Sequence, residues 1–174
     1  MRRKYSGFTL IEVLVVILII AGCVLALRPF VKKARERAYS AACANNLRKL
    51  SIALYKYARD HDGSFPQAAN LKELVNALAG PNALYAEDIS IFVCPNTGRK
   101  MGSPGDMAGT PIDYMYISGL KADSRPDLPL AADRALGQAL TKKDNHSRSG
   151  INVLYVSGNV KWLAAVPAGE WVKE

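Results

Sequence analysis

A single apolar stretch limits what this chain of 174 residues can fold into. From Phe8 to Leu27 it runs for twenty residues with one charged side chain, that of Glu12. A helix of that length is about 30 Å long, which matches the hydrocarbon core of a bilayer. The stretch therefore predicts a membrane-spanning helix, and the rest of the chain is long enough for about one folded domain.

Most of the net charge of +8 lies close to that stretch. Residues 1–7 carry three basic side chains, and residues 28–59 carry nine against the single acid Glu36. From residue 60 onward, acidic side chains slightly outnumber basic ones. Binding to nucleic acid usually needs a basic face on the folded domain, so we expect no nucleic-acid partner. A basic collar beside a membrane helix instead suits lipid headgroups or acidic neighbours.

Beyond the apolar stretch, the sequence predicts that the helix continues and becomes amphipathic. A 3.6-residue period marks one apolar face, made of Leu47, Leu50, Leu54, Tyr57 and Ala58. Pro29 lacks an N–H group, so we expect it to kink or locally open the helix. Gly63 can take the left-handed conformation that ends a helix, and Pro66 prevents its continuation. The predicted boundaries are a leader at 1–7, a membrane helix at 8–28, an amphipathic half at 29–62 and a head at 63–174.

The head reads as a small α+β domain. Asn70 and Glu73 have the spacing of a capping box, at the start of a short helix with a buried stripe of Leu71, Leu74, Val75 and Leu78. One β-like run follows, ISIFVCP, and two further runs read as strands, IDYMYIS and DLPLAAD. A hairpin that turns at Ser157-Gly158 is predicted by the run GINVLYVSGNVKWLA. The predicted fold is thus α+β, a long N-terminal helix packed on about three or four antiparallel strands.

The three cysteines leave alternatives open. Cys23 lies in the apolar stretch and reads as a small apolar side chain. Cys43 and Cys94 fall in the part predicted to lie outside the cytoplasm, where they could form a disulfide or remain two buried thiols. Neither has a second cysteine at metal-ligand spacing, so the spacing predicts no zinc site. We expect no cofactor other than the calcium considered below.

A short motif separates this chain from an ordinary secreted one. The segment GFTLIE, Gly7 to Glu12, follows the basic leader and opens the apolar run VLVVILII. In a secretory signal peptide the small residue follows the apolar run, whereas cleavage at Gly7 would leave the apolar helix attached. This arrangement resembles the type IV pilin and type II secretion pseudopilin superfamily.

The resemblance implies a processing and assembly pathway at the bacterial inner membrane. Prepilin peptidase would cut between Gly7 and Phe8 and methylate the new amine of Phe8. A platform protein and an ATPase would then assemble the chain, with its head in the periplasm, into a filament with other pilin-like subunits, either identical or different. The helix between Gly22 and Pro29 would melt in such a filament.

Glu12 is the one charge within the apolar stretch, and a carboxylate at bilayer depth needs a partner. In a staggered filament, Glu12 of one subunit would pair with the Phe8 amine of its neighbour. An unpaired charge in an apolar core is far worse than a paired one. The pair would therefore fix the axial register, as buried polar residues do in coiled coils.

The C-terminal part resembles pilin-like proteins that carry a histidine, about nine residues and then Asp-Gly in a hairpin. His146 is present, but Ser157-Gly158 takes the Asp-Gly place and the spacing is one residue longer. The simplest interpretation of His146 is a turn residue bonded to the backbone. Major type II pseudopilins bind calcium in this region, and the oxygen donors available here, without EF-hand spacing, are Asp133, Asp144 and Asn145.

The sequence therefore predicts a structural subunit and not an enzyme. Asp133, His146 and Ser157 are the residue types of a nucleophilic triad, but no Gly-x-Ser-x-Gly elbow surrounds Ser157. The alternatives are a minor tip subunit or adhesin, a DNA-uptake pilin, and a signal-anchored periplasmic protein that never polymerises. Basic residues alone leave the membrane topology open, because five of them follow the helix through Arg37 and three precede it.

Overall fold

The computed structural model describes residues 9–80, 85–98, 112–134, 146 and 150–172. Among these residues, one long helix and one short helix precede a small antiparallel sheet of five strands in the order β4-β3-β2-β1-β5. This confirms the predicted α+β class. The elements are α1 (Leu10–Asp60), α2 (Leu71–Ala79), two 3₁₀ turns (Ile89–Phe92 and Pro95–Thr97), β1 (Tyr114–Ile117), β2 (Pro129–Asp133), β3 (Ile151–Tyr155), β4 (Val160–Leu163) and β5 (Trp171–Val172).

The chain divides into two compact units, Met1–Arg37 and Ala38–Glu174. We call the described residues of the first unit the stem and those of the second the head. The boundary falls inside α1, so the second half of this helix belongs to the head. Every described side chain from Thr9 to Arg35 is exposed, and α1 is the one helix among the described residues that is long and apolar enough to cross a membrane.

The head is built around the second half of α1. Its predicted apolar face is confirmed, because Leu47, Leu50, Leu54 and Ala58 are all buried and Tyr57 is half-buried. The same buried cluster contains the apolar stripe of α2 and residues from the sheet, among them Tyr116 and Leu154. The 3.6-residue period thus produces the contact face that the sequence predicts.

The sheet has two buried faces. Side chains alternate along a strand, so Leu154 joins the cluster that contains α1, whereas Ile151 and Val153 join a smaller cluster with Ala132. The register pairs Tyr114 with Asp133 between β1 and β2, and Asn152 with Trp162 between β3 and β4. The polar residues Asp133 and Asn152 therefore lie together at one end of the sheet face that carries Leu154.

Local signals in the head work as the sequence predicts. The Asn70 side chain accepts a hydrogen bond from the Glu73 N–H at 3.0 Å, and the Glu73 carboxylate accepts one from the Ala69 N–H at 2.7 Å. The α1 helix ends where Gly63, at φ +74°, donates its N–H to the Ala58 carbonyl. The predicted hairpin is β3–β4, and its turn contains Gly158 at φ +79°.

Two predictions about the strands were wrong. The run ISIFVCP forms a 3₁₀ turn at Ile89–Phe92, because the Asp88 carboxylate caps the Ser90 N–H at 2.8 Å and starts a local turn. The sequence analysis also missed β5, which pairs with β1. Two residues are too few for a strand period to be visible in a sequence.

Candidate functional site

The start of α1 holds the acidic residue of the GFTLIE segment. Gly7 and Phe8, the predicted processing residues, lie outside the described residues. The Thr9 N–H and hydroxyl both donate to Glu12 Oε2, at 2.8 and 2.9 Å, and the Glu12 N–H lies 3.4 Å from Thr9 Oγ1. These reciprocal contacts form a capping box. The Thr-x-x-Glu spacing signals this cap in the sequence, but the sequence analysis missed it and assigned Glu12 a partner on another subunit.

Gly22 and Pro29 are the predicted weak points of the stem. The α1 helix runs through both positions. A Cβ atom at Gly22 would contact nothing within 4 Å, and Pro29 removes one backbone donor from the helix. The kink, and the melting of this segment in a filament, stay predictions.

The second candidate site lies in the head, where two cysteines meet. Cys43 of α1 and Cys94 are both buried, and their sulfur atoms lie 2.9 Å apart as free thiols. Cys23, the third cysteine, is exposed on the stem. The structure therefore brings together the two cysteines that we paired from the sequence, and their disulfide stays a prediction.

Cys94 is held in place by a buried carboxylate from another segment. Its N–H donates to Asp113 Oδ2 at 3.0 Å, and the Thr97 hydroxyl donates to the same oxygen at 2.8 Å. The Asp113 N–H in turn donates to the Phe92 carbonyl at 3.0 Å. Asp113 precedes β1, so it fixes the loop of Cys94 against the start of that strand. Sequence analysis missed this role, because nothing local links residues 19 apart.

His146 lies beside the two cysteines and is completely buried. Its Nε2 is 3.1 Å from Asp133 Oδ2, an ion-pair distance, but the contact lacks the geometry of a directed hydrogen bond. Neither ring nitrogen has a hydrogen-bond partner among the described residues. His146 lies in a turn, as predicted, but the predicted hydrogen bond between its ring and the backbone was wrong. Its ring also packs edge-on against Trp162.

Asp133 ends β2 and is itself completely buried. Its Oδ2 accepts hydrogen bonds from the backbone N–H and the side-chain amide of Asn152, at 2.7 and 2.8 Å. The Asn152 amide also donates to the Ser40 carbonyl of α1 at 3.1 Å. This network joins the sheet to α1 and orients the carboxylate toward His146. The Oδ1 atom of Asp133 has no hydrogen-bond partner among the described residues.

These contacts change the protonation of the cluster. The thiol of Cys43 donates to Cys94, which lowers the pKa of Cys94 and raises that of Cys43. Burial by itself lowers the pKa of His146, but its interactions with Asp133 and Cys94 outweigh burial and raise the pKa to about 9. Burial and the neighbouring Cys43 raise the pKa of the Tyr114 hydroxyl. The cluster therefore favours a Cys94 thiolate beside a protonated His146.

The donor atoms of this cluster lie close enough to share one ion. A sulfur from Cys43, a sulfur from Cys94 and a ring nitrogen of His146 all lie within 4.8 Å of one another. Spacing along the chain gave no hint of this, because 51 residues separate the cysteines and a further 52 separate Cys94 from the histidine. Only the packing of α1 on the sheet brings the three together.

The described residues do not assemble the other two candidate sites, the calcium site and the catalytic triad. Of the three calcium candidates, Asp144 and Asn145 lie outside the described residues, and Asp133 is committed to the buried network. Calcium binding therefore stays a prediction. Ser157 is exposed in the β3–β4 turn, whereas Asp133 and His146 are buried, so the described geometry does not assemble a triad.

Comparison with known proteins agrees with the reading of the N-terminus. The model of a prokaryotic N-terminal methylation motif matches residues 2–21, which include the basic leader, the GFTLIE segment and the first apolar residues. No solved structure matches this chain.

A curated relative extends the likeness beyond the motif. The chain is 36% identical over 67 residues to the ComG operon protein 3 homolog of Bacillus licheniformis. The matched part covers 38% of this chain and 69% of that protein. Families of pilin-like proteins consist of structural subunits and not enzymes. The chain therefore belongs to the type IV pilin-like superfamily, as a single-pass membrane-anchored subunit of the kind that prepilin peptidase processes.

Proposed function

We propose that this chain is a stacking subunit of a filament of the type II secretion or type IV pilus kind. Prepilin peptidase cuts after Gly7 and methylates Phe8, and the stem then leaves the bilayer to pack among the stems of other subunits. A platform protein and an ATPase at the inner membrane drive that transfer. The head stays on the outer side of the membrane throughout.

The surface of the stem is the observation that carries this proposal. Large apolar side chains such as Leu10, Leu18 and Phe30 are all more than half exposed, and nothing in the stem buries them. Covering one such side chain is worth roughly 1.5–3 kcal/mol. Lipid covers these side chains before assembly, and neighbouring stems can cover them afterwards.

The charge of Glu12 favours the transfer of the stem from the bilayer into the filament. The capping box supplies Glu12 with two donors from Thr9, but it supplies no positive charge. On insertion scales a charged side chain costs about 2.5–3.5 kcal/mol at the centre of a membrane helix, and Glu12, in the first turn of α1, costs less than that. After cleavage, the amine of Phe8 on an adjacent subunit can neutralise the carboxylate. Pairing of this kind occurs only at one axial stagger, so it selects the register of the filament.

The test separates the charge of Glu12 from its role in the cap. Glu12→Gln keeps an oxygen acceptor that suits a capping box but removes the charge, whereas Glu12→Val removes both. We expect both variants to insert in the membrane at wild-type levels and both to lose the sheared filament fraction. If Glu12→Gln assembles as well as the wild type, the charge pair is wrong and the carboxylate serves only the cap.

Processing has its own measurement. Mass spectrometry of chain isolated from the cell envelope should find an N-terminus at Phe8 with one added methyl group. Replacing Gly7 by a bulky residue should leave Met1 in place and prevent assembly. A native chain that begins at Met1 and forms no polymer would instead be a signal-anchored protein. A chain that is processed and occurs only at filament ends would be a minor tip subunit.

A further inference from the structure

We propose that Cys43, Cys94 and His146 bind a zinc ion in the head, with Asp133 holding the imidazole in place. The proposal concerns the head alone. It does not depend on filament assembly, and the two ideas can fail separately.

The spacing of the donors suits a single ion after a small adjustment. All three ligand atoms lie within 4.8 Å of one another, and the two sulfurs are 2.9 Å apart. In a tetrahedral zinc site with bonds of about 2.0–2.3 Å, neighbouring ligand atoms are about 3.3–3.8 Å apart. The sulfurs must therefore separate slightly and the imidazole must move closer. Small rotations about the side-chain bonds achieve both.

The chemistry of the donors favours zinc over the cations that bind oxygen. Thiolates and imidazole are the ligands of structural and catalytic zinc sites, whereas calcium and magnesium prefer carboxylates and carbonyls. A metal-ligating histidine commonly passes its other ring N–H to a carboxylate that is itself hydrogen-bonded. Asp133 fits that description, because Asn152 donates two hydrogen bonds to its Oδ2 atom, which lies 3.1 Å from His146.

Burial is the observation that points to a missing partner. His146 and Asp133 are completely buried, yet both ring nitrogens and Asp133 Oδ1 have no hydrogen-bond partner among the described residues. The large majority of buried side-chain polar atoms in proteins have one. An ion on one ring nitrogen would satisfy it directly, and the other ring nitrogen could then donate its N–H to Asp133.

A Cys43–Cys94 disulfide is the competing state, since it uses the same two sulfur atoms. It would explain why the cysteines meet, but it would leave the ring nitrogens of His146 as they are. Zinc explains the position of the cysteines and of the histidine together. It would also join four segments that are distant in the sequence, namely α1, the loop before residue 95, the end of β2 and the turn at residue 146.

The chain contains its own matched controls. It has three cysteines and two histidines, and Cys23 and His61 are exposed and lie outside the cluster. Full-length chain would be taken from membranes into detergent with free thiols blocked during lysis, and its metal content measured by elemental analysis. We expect about one zinc per chain. Cys23→Ser and His61→Gln should keep it, and the loss should be confined to Cys43→Ser, Cys94→Ser and His146→Gln.

A spectrum of the wild-type chain guards against variants that fail to fold. X-ray absorption at the zinc edge should show two sulfur neighbours at about 2.3 Å and at least one imidazole nitrogen. Asp133→Asn should keep both sulfurs but weaken zinc binding about 10–100-fold. A disulfide between Cys43 and Cys94 in the isolated native chain, or full zinc content in folded His146→Gln, would overturn the proposal.

Discussion

The stem and the head contain the same kinds of residue in opposite surroundings. Leu18 in the stem is 63% exposed, whereas Leu54, on the same helix in the head, is completely buried. The helix propensity of leucine cannot produce that difference, because both residues are helical. What differs is the source of the apolar partner. The head supplies its own, and the stem must find one in lipid or in other subunits.

Substitution of matched leucines should give the largest difference between the two units. Leu54→Ala opens a cavity in the head core and should lower the free energy of unfolding by about 2–5 kcal/mol. Leu18→Ala removes an exposed side chain and should leave head stability unchanged. Both tryptophans, Trp162 and Trp171, lie in the head, so urea unfolding followed by tryptophan fluorescence in detergent reports the head alone. Equal effects of the two variants would contradict the division into units.

Substitution of matched cysteines should change how head stability depends on pH. In reduced, metal-free protein, the pKa of His146 is raised from 6.5 to about 9, so its contribution is present below pH 6.5 and is lost as the pH rises through 9. The pKa of Cys94 is lowered from 9.0 to about 6, so its contribution is present above pH 9 and is lost as the pH falls through 6. The two contributions change in opposite directions between these limits. We therefore expect a nearly flat stability profile for the wild-type head from pH 6.5 to 9.

Cys94→Ser removes one of these two contributions. The folded head should then bind more protons than the unfolded chain at His146, so its stability should fall as the pH rises from 6.5 to 9. Cys23→Ser lies in the stem and should keep the flat profile. Urea midpoints measured at several pH values test this, and a flat profile for Cys94→Ser would show that Asp133 alone does not keep His146 protonated.

The parts of the molecule that could be predicted from sequence are those in which neighbours along the chain decide the structure. The capping box at Asn70, the apolar face of α1 and the hairpin at Gly158 each follow from residues a few positions apart. Asp88 shows the limit, because one capping side chain turned a β-like run into a 3₁₀ turn.

The buried cluster could not be predicted in the same way. Cys43, Cys94, Asp133 and His146 lie on four separate segments, and only the packing of α1 on the sheet brings them together. The sequence did single out Cys43 and Cys94 as a pair, because two cysteines outside the cytoplasm can form a disulfide. For His146 the sequence predicted only a turn residue. The alternation along β2 places Asp133 on the sheet face that carries Leu154, but this becomes evident only when the strand register is known.

Substitution of matched glycines should have a smaller effect. Gly150, at φ +143°, precedes β3, and a Cβ atom there would lie 2.5 Å from the Trp162 ring and 2.6 Å from the Leu163 carbonyl oxygen. We expect Gly150→Ala to lower the free energy of head unfolding by about 1–3 kcal/mol through overpacking and backbone strain. Gly22→Ala meets no atom within 4 Å and should slightly favour the stem helix. Circular dichroism during urea unfolding measures both, and a stable Gly150→Ala head would show that the hairpin can open at this point.

Substitution at the two capping boxes should give the smallest effect, and it tests the comparison most directly. Thr9 and Glu12 in the stem have the same spacing as Asn70 and Glu73 in the head, and in each pair the N–H of the acid donates to the side chain of the cap residue. The Glu12 carboxylate accepts from the N–H of Thr9 itself, whereas the Glu73 carboxylate accepts from the N–H of Ala69. Asn70→Ala should cost the head about 1 kcal/mol, because α2 packs into the core and its cap contributes to cooperative unfolding. Thr9→Ala should leave the urea midpoint of the head unchanged and instead fray the first turn of the stem, which amide hydrogen exchange would detect at Glu12. A shift in the head midpoint with Thr9→Ala would mean that the two units unfold together, and the division at residue 37 would then describe the contacts within the chain but not its cooperativity.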